Sequence, residues 1–276
     1  MSRSMIQAAV TMNQLQNKLD LIGNNLANSQ TTGYKSREAD FSSLLTQQIN
    51  NVTHPQNAEG RLTPDGVRIG SGARLGSVNM NMALGAINET GRELDVALLQ
   101  PNYFFQVEVT ENGNTETRYT RDGSFYLNPI NDNQDVLLTN GDGNPVLGEN
   151  GPIIIAEGFD SITIQPNGQI TVQRGNVTED AGNITITEVV RPRLLEAAGE
   201  NNFRLPDTAE LGFELDEILQ APAGNQELLK NGALENANVD VAKQMSDLML
   251  TQRAYQFNSR TISMGDQMMG LINQLR

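Results

Sequence analysis

MIQAAVTMNQLQNKLDLIGNNL, residues 5–26, carries its apolar side chains at Met5, Ala8, Met12, Leu15, Leu19, Ile22 and Leu26, in steps that alternate three and four. LTQRAYQFNSRTISMGDQMMGLINQL, residues 250–275, repeats the pattern at Leu250, Ala254, Phe257, Thr261, Met264, Met268, Leu271 and Leu275. A repeat of 3.5 residues keeps one helical seam turned toward a partner helix. The spacing therefore predicts a long helix at each end of the chain, over about residues 4–28 and Val239–Gln274, the first roughly 38 Å long. Asn238 or Asp240 is the expected cap of the second. That helix has another apolar line, Val241, Met245, Leu248, Tyr255, Ile262 and Met269, so it can touch more than one neighbour. The seams can close on each other as an intramolecular hairpin or on other copies of the chain. The pattern alone leaves both readings open.

Between the helices the signals are β. Candidate strands are Tyr103–Val109, Thr117–Arg121, Ser124–Leu127, Val136–Thr139, Ile153–Ile155, Ser161–Gln165, Gln169–Gln173 and Ile184–Val190. Asn112-Gly113, Asp122-Gly123, Asn140-Gly141, Asp142-Gly143, Asn150-Gly151 and Asn167-Gly168 lie between them. Such pairs supply the positive φ angles of tight hairpins, which predicts antiparallel strands in a sandwich or small barrel. The fold class expected is α+β, with long terminal helices packing as a coiled-coil-like pair and a central antiparallel all-β domain between them in sequence. Three regions follow: residues 1–77, the first helix and an extended loop region; 78–205, the β domain; and 206–276, a return segment and the last helix. Within the first, Phe41, Leu44, Leu45 and Ile49 fit one face of a short helix, and residues 50–77, rich in Gly and Pro, read as irregular.

The formal charge is −14, and it is uneven. Residues 51–225 hold ten basic and twenty-five acidic groups, whereas residues 226–276 hold five of each. An acidic middle disfavours nucleic acid and anionic membrane, while near-neutral helical ends let like subunits approach. With no Cys, disulfide and thiolate chemistry are excluded. The N-terminus lacks the continuous apolar core of a secretory signal, and no stretch approaches the length of a membrane span.

The apparent chemical motifs are weak. His54 is the only histidine and precedes Pro55 in a polar stretch, so common zinc sites are excluded. Gly70-Ser71-Gly72-Ala73-Arg74-Leu75-Gly76 imitates a dinucleotide loop with one residue too many and no βαβ context. Asn131, Asn133, Asp135 and Asp142 fall at EF-hand offsets, but the sixth position is Val136 and the flanks read as strands. No catalytic constellation, cofactor site or metal site is expected.

Asn24-Asn25-Leu26-Ala27-Asn28-Ser29-Gln30-Thr31-Thr32-Gly33-Tyr34-Lys35 resembles the N-terminal signature of the bacterial flagellar rod and hook proteins. Asn231-Gly232-Ala233-Leu234-Glu235-Asn236-Ala237-Asn238-Val239-Asp240 and Thr251-Gln252-Arg253-Ala254-Tyr255 resemble the C-terminal signature. Glu93-Leu94-Asp95-Val96-Ala97, Tyr103-Phe104-Phe105 and Tyr119-Thr120-Arg121-Asp122-Gly123-Ser124-Phe125 are similar to the family's central domain. Pro64-Asp65-Gly66-Val67-Arg68-Ile69-Gly70-Ser71-Gly72 is similar to a loop of its distal-rod members, and Phe41-Ser42-Ser43-Leu44-Leu45 to a short export element. One departure stands out: a Gly-rich turn usual in the family is replaced by Leu98-Leu99-Gln100-Pro101-Asn102, which leaves a rod paralogue open.

The resemblance implies a non-enzymatic subunit that stacks helically into a hollow rod with its terminal helices inside. It implies export through the flagellar type III apparatus, a place in the extracytoplasmic basal body, and other copies and other rod or hook subunits as partners. The expected interface is Met5, Met12, Leu15, Leu19, Ile22 and Leu26 with Leu250, Phe257, Met264, Met268, Leu271 and Leu275. The expected turn is Asn24, Asn25, Asn28, Thr32, Gly33 and Tyr34. Gly33 closes that turn in a left-handed conformation, where Asn is better tolerated than Val. The rival from another class is a β-rich secreted enzyme or binding module carrying a helical hairpin. Within the family the alternatives are a proximal rod or hook-type paralogue.

Overall fold

The computed structural model describes residues 2–43, 46–49, 67–70, 73–111, 113–131, 134–206, 212, 214–222 and 227–274. The chain is α+β: a helix near each end and antiparallel strands between. It divides into two compact units, residues 1–26, 37–79 and 240–276 in one, and 27–36 and 80–239 in the other.

The helical unit contains α1 (Ser2–Ala27) and α2 (Val241–Gln274). Asp240 caps α2: its Oδ1 accepts the Lys243 N–H at 3.0 Å, the side-chain bond that satisfies an orphan donor of the first turn. Helices α1 and α2 run in opposite directions. Met5 lies against Gly265 at one end, and Ile22 and Gln244 share a cleft of about 170 Å³ at the other. The face of α2 turned inward carries Gln244, Leu248, Thr251, Tyr255, Ile262 and Gly265. Leu248, Tyr255 and Ile262 come from the second apolar line read in the sequence.

The segment after α1 departs from expectation. Where Phe41 to Ile49 suggested a helix, Arg37–Ser43 pairs with Ala73–Met80, and Thr46–Ile49 pairs antiparallel with Val67–Gly70. Short apolar runs fit either period, and distant partner strands decide the outcome here. Residues 67–70 and 73–77 are therefore strand rather than irregular chain. Leu44, Leu45, His54, Pro64 and the remainder of 50–66 lie outside the described residues.

The central unit is built on a six-stranded antiparallel sheet in the order Glu196–Ala197, Asn202–Arg204, Asn114–Thr120, Tyr103–Glu111, Ile186–Val189, Leu219–Gln220. Along Tyr103–Glu111 the side chains alternate, as a strand's two-residue period requires. Phe105, Val107 and Val109 enter the large core, where Phe105 meets Phe125 edge to face at 5.1 Å. Phe104 enters a smaller cluster on the other face with Tyr119, Val189, Leu195 and Phe203. Two three-stranded sheets close the large core. One orders Ile154–Ala156, Asp135–Thr139, Tyr126–Ile130; the other orders Ser161–Ile164, Gln169–Arg174, Val177–Asn183.

Val177–Asn183 escapes a sequence reading because VTEDAGN is an exposed edge with no apolar alternation. Ile130 and Asp135 pair across an antiparallel hairpin, with Asn131 at φ 51°; Asn133 lies outside the described residues. The residues around 206–235 do not simply lead back to the helix. Leu229–Asn231 pairs with Val96–Leu98, and Ala233–Glu235 with Ile87–Glu89. In place of the absent Gly-rich turn, Asn102 takes φ 64° and its carbonyl accepts the Val189 N–H at 2.8 Å. Asn is among the few residues that tolerate this region, so the turn survives the departure.

Candidate assembly site

Two turns follow α1: the Thr31 N–H donates to the Asn28 carbonyl at 3.1 Å and the Tyr34 N–H to the Thr31 carbonyl at 3.3 Å. They deliver the chain to Gly33, which has φ 67°. There it meets the C-terminal signature. The Gly33 N–H donates to the Glu235 carbonyl at 2.7 Å, and the Asn238 N–H to the Tyr34 carbonyl at 3.3 Å. Asn238, the other candidate cap, has a different task. Its Oδ1 accepts the Ser36 N–H at 2.7 Å, and its Nδ2 donates to the carbonyls of Asn81 at 2.7 Å and Ala83 at 2.9 Å.

At the centre lies the Glu235 carboxylate. Oε1 accepts from Lys35 Nζ at 2.7 Å and from the Gly85 N–H at 2.8 Å. Oε2 accepts from Arg121 Nε at 2.9 Å and Nη2 at 2.7 Å. Arg121 Nη1 donates onward to the Tyr103 carbonyl at 2.6 Å, and Lys35 Nζ to the Ala83 carbonyl at 2.8 Å. The three charged side chains are essentially removed from water, at 0–1 % exposure. Burial, then the neighbouring Arg121 charge, pull the Lys35 ammonium down to about 8 despite Glu235. Burial alone would lift the Glu235 acid; the Arg121 charge and the Lys35 hydrogen bond outweigh it and hold the group below its usual value. Arg121 is lowered by burial against the pull of Glu235.

A carboxylate saturated by four donors and shielded from solvent cannot trade protons with a substrate. What it can do is fix the ends of three remote segments, because losing one partner of a buried pair leaves an uncompensated charge.

The expected turn residues divide. Gly33 and Tyr34 are buried at this hub, and the Thr32 carbonyl accepts Asn201 Nδ2 at 2.9 Å. Asn28 Oδ1 accepts the Thr31 hydroxyl at 3.2 Å. Asn25, in the helical unit, is buried and grips Arg37 in both directions at 2.9 Å, donating to its carbonyl and accepting its N–H. Asn24 is exposed. Lys35, Arg121 and Glu235 stood inside the quoted motifs but not among the expected site residues. Their signal was complementary charge, two cations and one anion, in three separate motifs.

The expected interface residues also divide. Ile22 is buried; Met5, Met12, Leu15, Leu19 and Leu26 are partly covered. On α2, by contrast, Leu250, Phe257, Met264, Met268 and Leu271 face outward, Phe257 with 71 % exposure. Leu275 lies outside the described residues. Single exposed apolar side chains need no explanation, whereas these five recur at helical spacing along one face of α2. Among the described residues no helix is long and apolar enough to cross a membrane, and no group of His, Asp and Glu side chains is arranged to hold a metal.

Three family descriptions match the chain in order: "Flagella basal body rod protein" over residues 7–35, "Flagellar hook protein FlgE/F/G D1 domain" over 99–172, and "Flagellar basal body rod FlgEFG protein C-terminal" over 230–275. Each contributes one charge to the hub: Lys35, Arg121 and Glu235. The chain is 43 % identical to the flagellar hook-basal body complex protein FlhP of Bacillus subtilis, across the whole of both chains. It is 33 % identical to the flagellar basal-body rod protein FlgG of Agrobacterium fabrum, over 99 % of this chain and 98 % of that one. To FlgG of Bacillus subtilis it is 32 % identical, over 98 % and 97 %.

Proposed function

The chain belongs to the flagellar basal-body rod and hook protein family, and we propose that it is a structural, non-enzymatic subunit of the distal part of the rod. The observation that carries this is similarity to FlhP from end to end, with the three family segments meeting at one hub. The subunit is exported through the flagellar type III apparatus and polymerises helically in the extracytoplasmic basal body. Its terminal helices, packed in coiled-coil fashion, form the inner wall of a hollow tube, and the acidic β unit faces outward. Copies of the chain and other rod and hook subunits are its neighbours. The tube transmits torque and lines the export channel.

The outward stripe of α2, Leu250, Phe257, Met264, Met268 and Leu271, supports contact between copies, in which these residues together with Leu275 meet the α1 seam, Met5 to Leu26, of a neighbour. One observation favours a paralogue of FlgG over FlgG itself. Bacillus subtilis carries both relatives, and the chain is closer to its FlhP than to its FlgG. The test is electron microscopy of basal bodies from a strain lacking this gene. Rods truncated short of the hook, restored by the wild-type gene, are expected; full-length rods with normal swimming overturn the proposal.

A further inference from the structure

We infer that Glu235 is the closing latch of the central unit: the β core folds only once this carboxylate, near the end of the chain, is in place. Lys35 and Arg121 lie 200 and 114 residues before it in sequence. Both are buried beside one another, and among the described residues Glu235 is the acid acting on either. Before it arrives, closing the core confines two like charges without a counter-ion, which strongly disfavours the folded state.

The backbone repeats the dependence. Val96–Leu98 and Ile87–Glu89 find their described strand partners in Leu229–Asn231 and Ala233–Glu235 respectively. Leu228 and Leu229 complete the large core itself. The Gly85 N–H also needs Oε1. Charge, strand pairing and core filling are thus all satisfied by residues 228–235 together. Contacts of such separation carry a large loop-closure entropy, which local pairing along the chain does not offset.

Synthesis delivers a chain N-terminus first, so the latch comes last. The central unit remains open until residues 228–235 have emerged, although most of its strands lie earlier. A type III route that takes unfolded chain would receive it in that state. That consequence rests on the rod reading; the latch does not, and the experiment reads the latch alone.

The test is hydrogen exchange on the full-length chain in solution, comparing wild type with Glu235→Gln and Glu89→Gln. Glu89 sits on the partner strand in an exposed pair with Lys230 and serves as the control. The latch requires the Tyr103–Glu111 and Asn114–Thr120 amides of Glu235→Gln to exchange at least about 100-fold faster, in step with Leu229–Glu235. Glu89→Gln leaves them unchanged. Faster exchange confined to residues 33–36, 83–86 and 233–238 overturns the inference, as does an equal effect of Glu89→Gln. If Glu235→Gln does not fold at all, Lys35→Met/Arg121→Met/Glu235→Gln decides. Removing both cations with the anion restores strand protection if unpaired charge is the cause, and its failure to do so overturns the latch.

Discussion

A Cβ added to Gly33 would lie 2.6 Å from both the carbonyl carbon and oxygen of Arg121. Real Cβ atoms do not come so close to a rigid backbone. Gly33 therefore meets two demands, a left-handed φ of 67° and a contact that leaves no room for any side chain. The sequence shows the first demand only, which is why Asn looks acceptable there. The contact removes that distinction. Gly33→Ala, Gly33→Asn and Gly33→Val should each destabilise the full chain by roughly 2–4 kcal/mol, read as a lowered thermal midpoint. A midpoint for Gly33→Asn close to wild type, with Gly33→Val well below it, would show that φ alone selects glycine.

The hub also makes stability depend on pH. Lys35 titrates near 8 in the fold and near 10.5 when unfolded. Over that interval the unfolded chain binds more protons, so stability rises with pH through this group. Below pH 8 the fold carries the full cost of the buried charge, on the order of 3 kcal/mol. Burial pushes the Tyr119 and Tyr103 hydroxyls up, and these act the other way above pH 10. The window is therefore pH 8 to 10. Urea unfolding at pH 7.5, 8.5 and 9.5 should give wild type a rising midpoint that Lys35→Met lacks. Parallel curves for the two would mean that the Lys35 charge is not the source.

What the sequence could show was whatever local periodicity and turn chemistry encode. Both helices are recognisable from their seams, and α2 is helical as far as Gln274, the last described residue. Most core strands are also visible, because Phe105, Val107 and Val109 alternate with polar neighbours. Two kinds of feature were not legible. Polar or short strands such as Val177–Asn183 and Leu229–Asn231 owe their state to partners brought by the fold, not to their own pattern. The hub joins residues as far apart as Lys35 and Glu235, and no local rule couples them. Asp122-Gly123 shows the same limit: it reads as a hairpin, yet the Gly123 carbonyl accepts the Val96 N–H at 3.0 Å, in a close approach of two backbones.

Asn238 and Asp240, both plausible caps from sequence, should separate in their costs. Asp240→Ala removes one side-chain cap from an exposed helix start, worth about 1 kcal/mol. Asn238→Ala removes three hydrogen bonds at once, those with Ser36, Asn81 and Ala83. Its cost should be about 2–4 kcal/mol, since the groups left behind are partly buried. Denaturant midpoints of the two variants rank them. If Asp240→Ala proves the more damaging, the cap and not the clasp governs this junction.

The outward stripe of α2 allows assembly to be separated from folding. Phe257 is 71 % exposed, so Phe257→Asp should change the stability of the isolated chain by no more than about 0.5 kcal/mol. Leu15 is partly covered, and Leu15→Asp should lower stability as well, by about 1–3 kcal/mol. On the rod reading both variants abolish assembly, because each places a charge in a seam between copies where it finds no partner. The informative measurement pairs thermal unfolding of purified Phe257→Asp with swimming and basal-body imaging of the strain that carries it. A wild-type midpoint with missing rods identifies the stripe as an interface between subunits. Normal rods and normal swimming with Asp at position 257 would show that this face of α2 stays in contact with water after assembly, and the wall of the tube would have to be built on other residues.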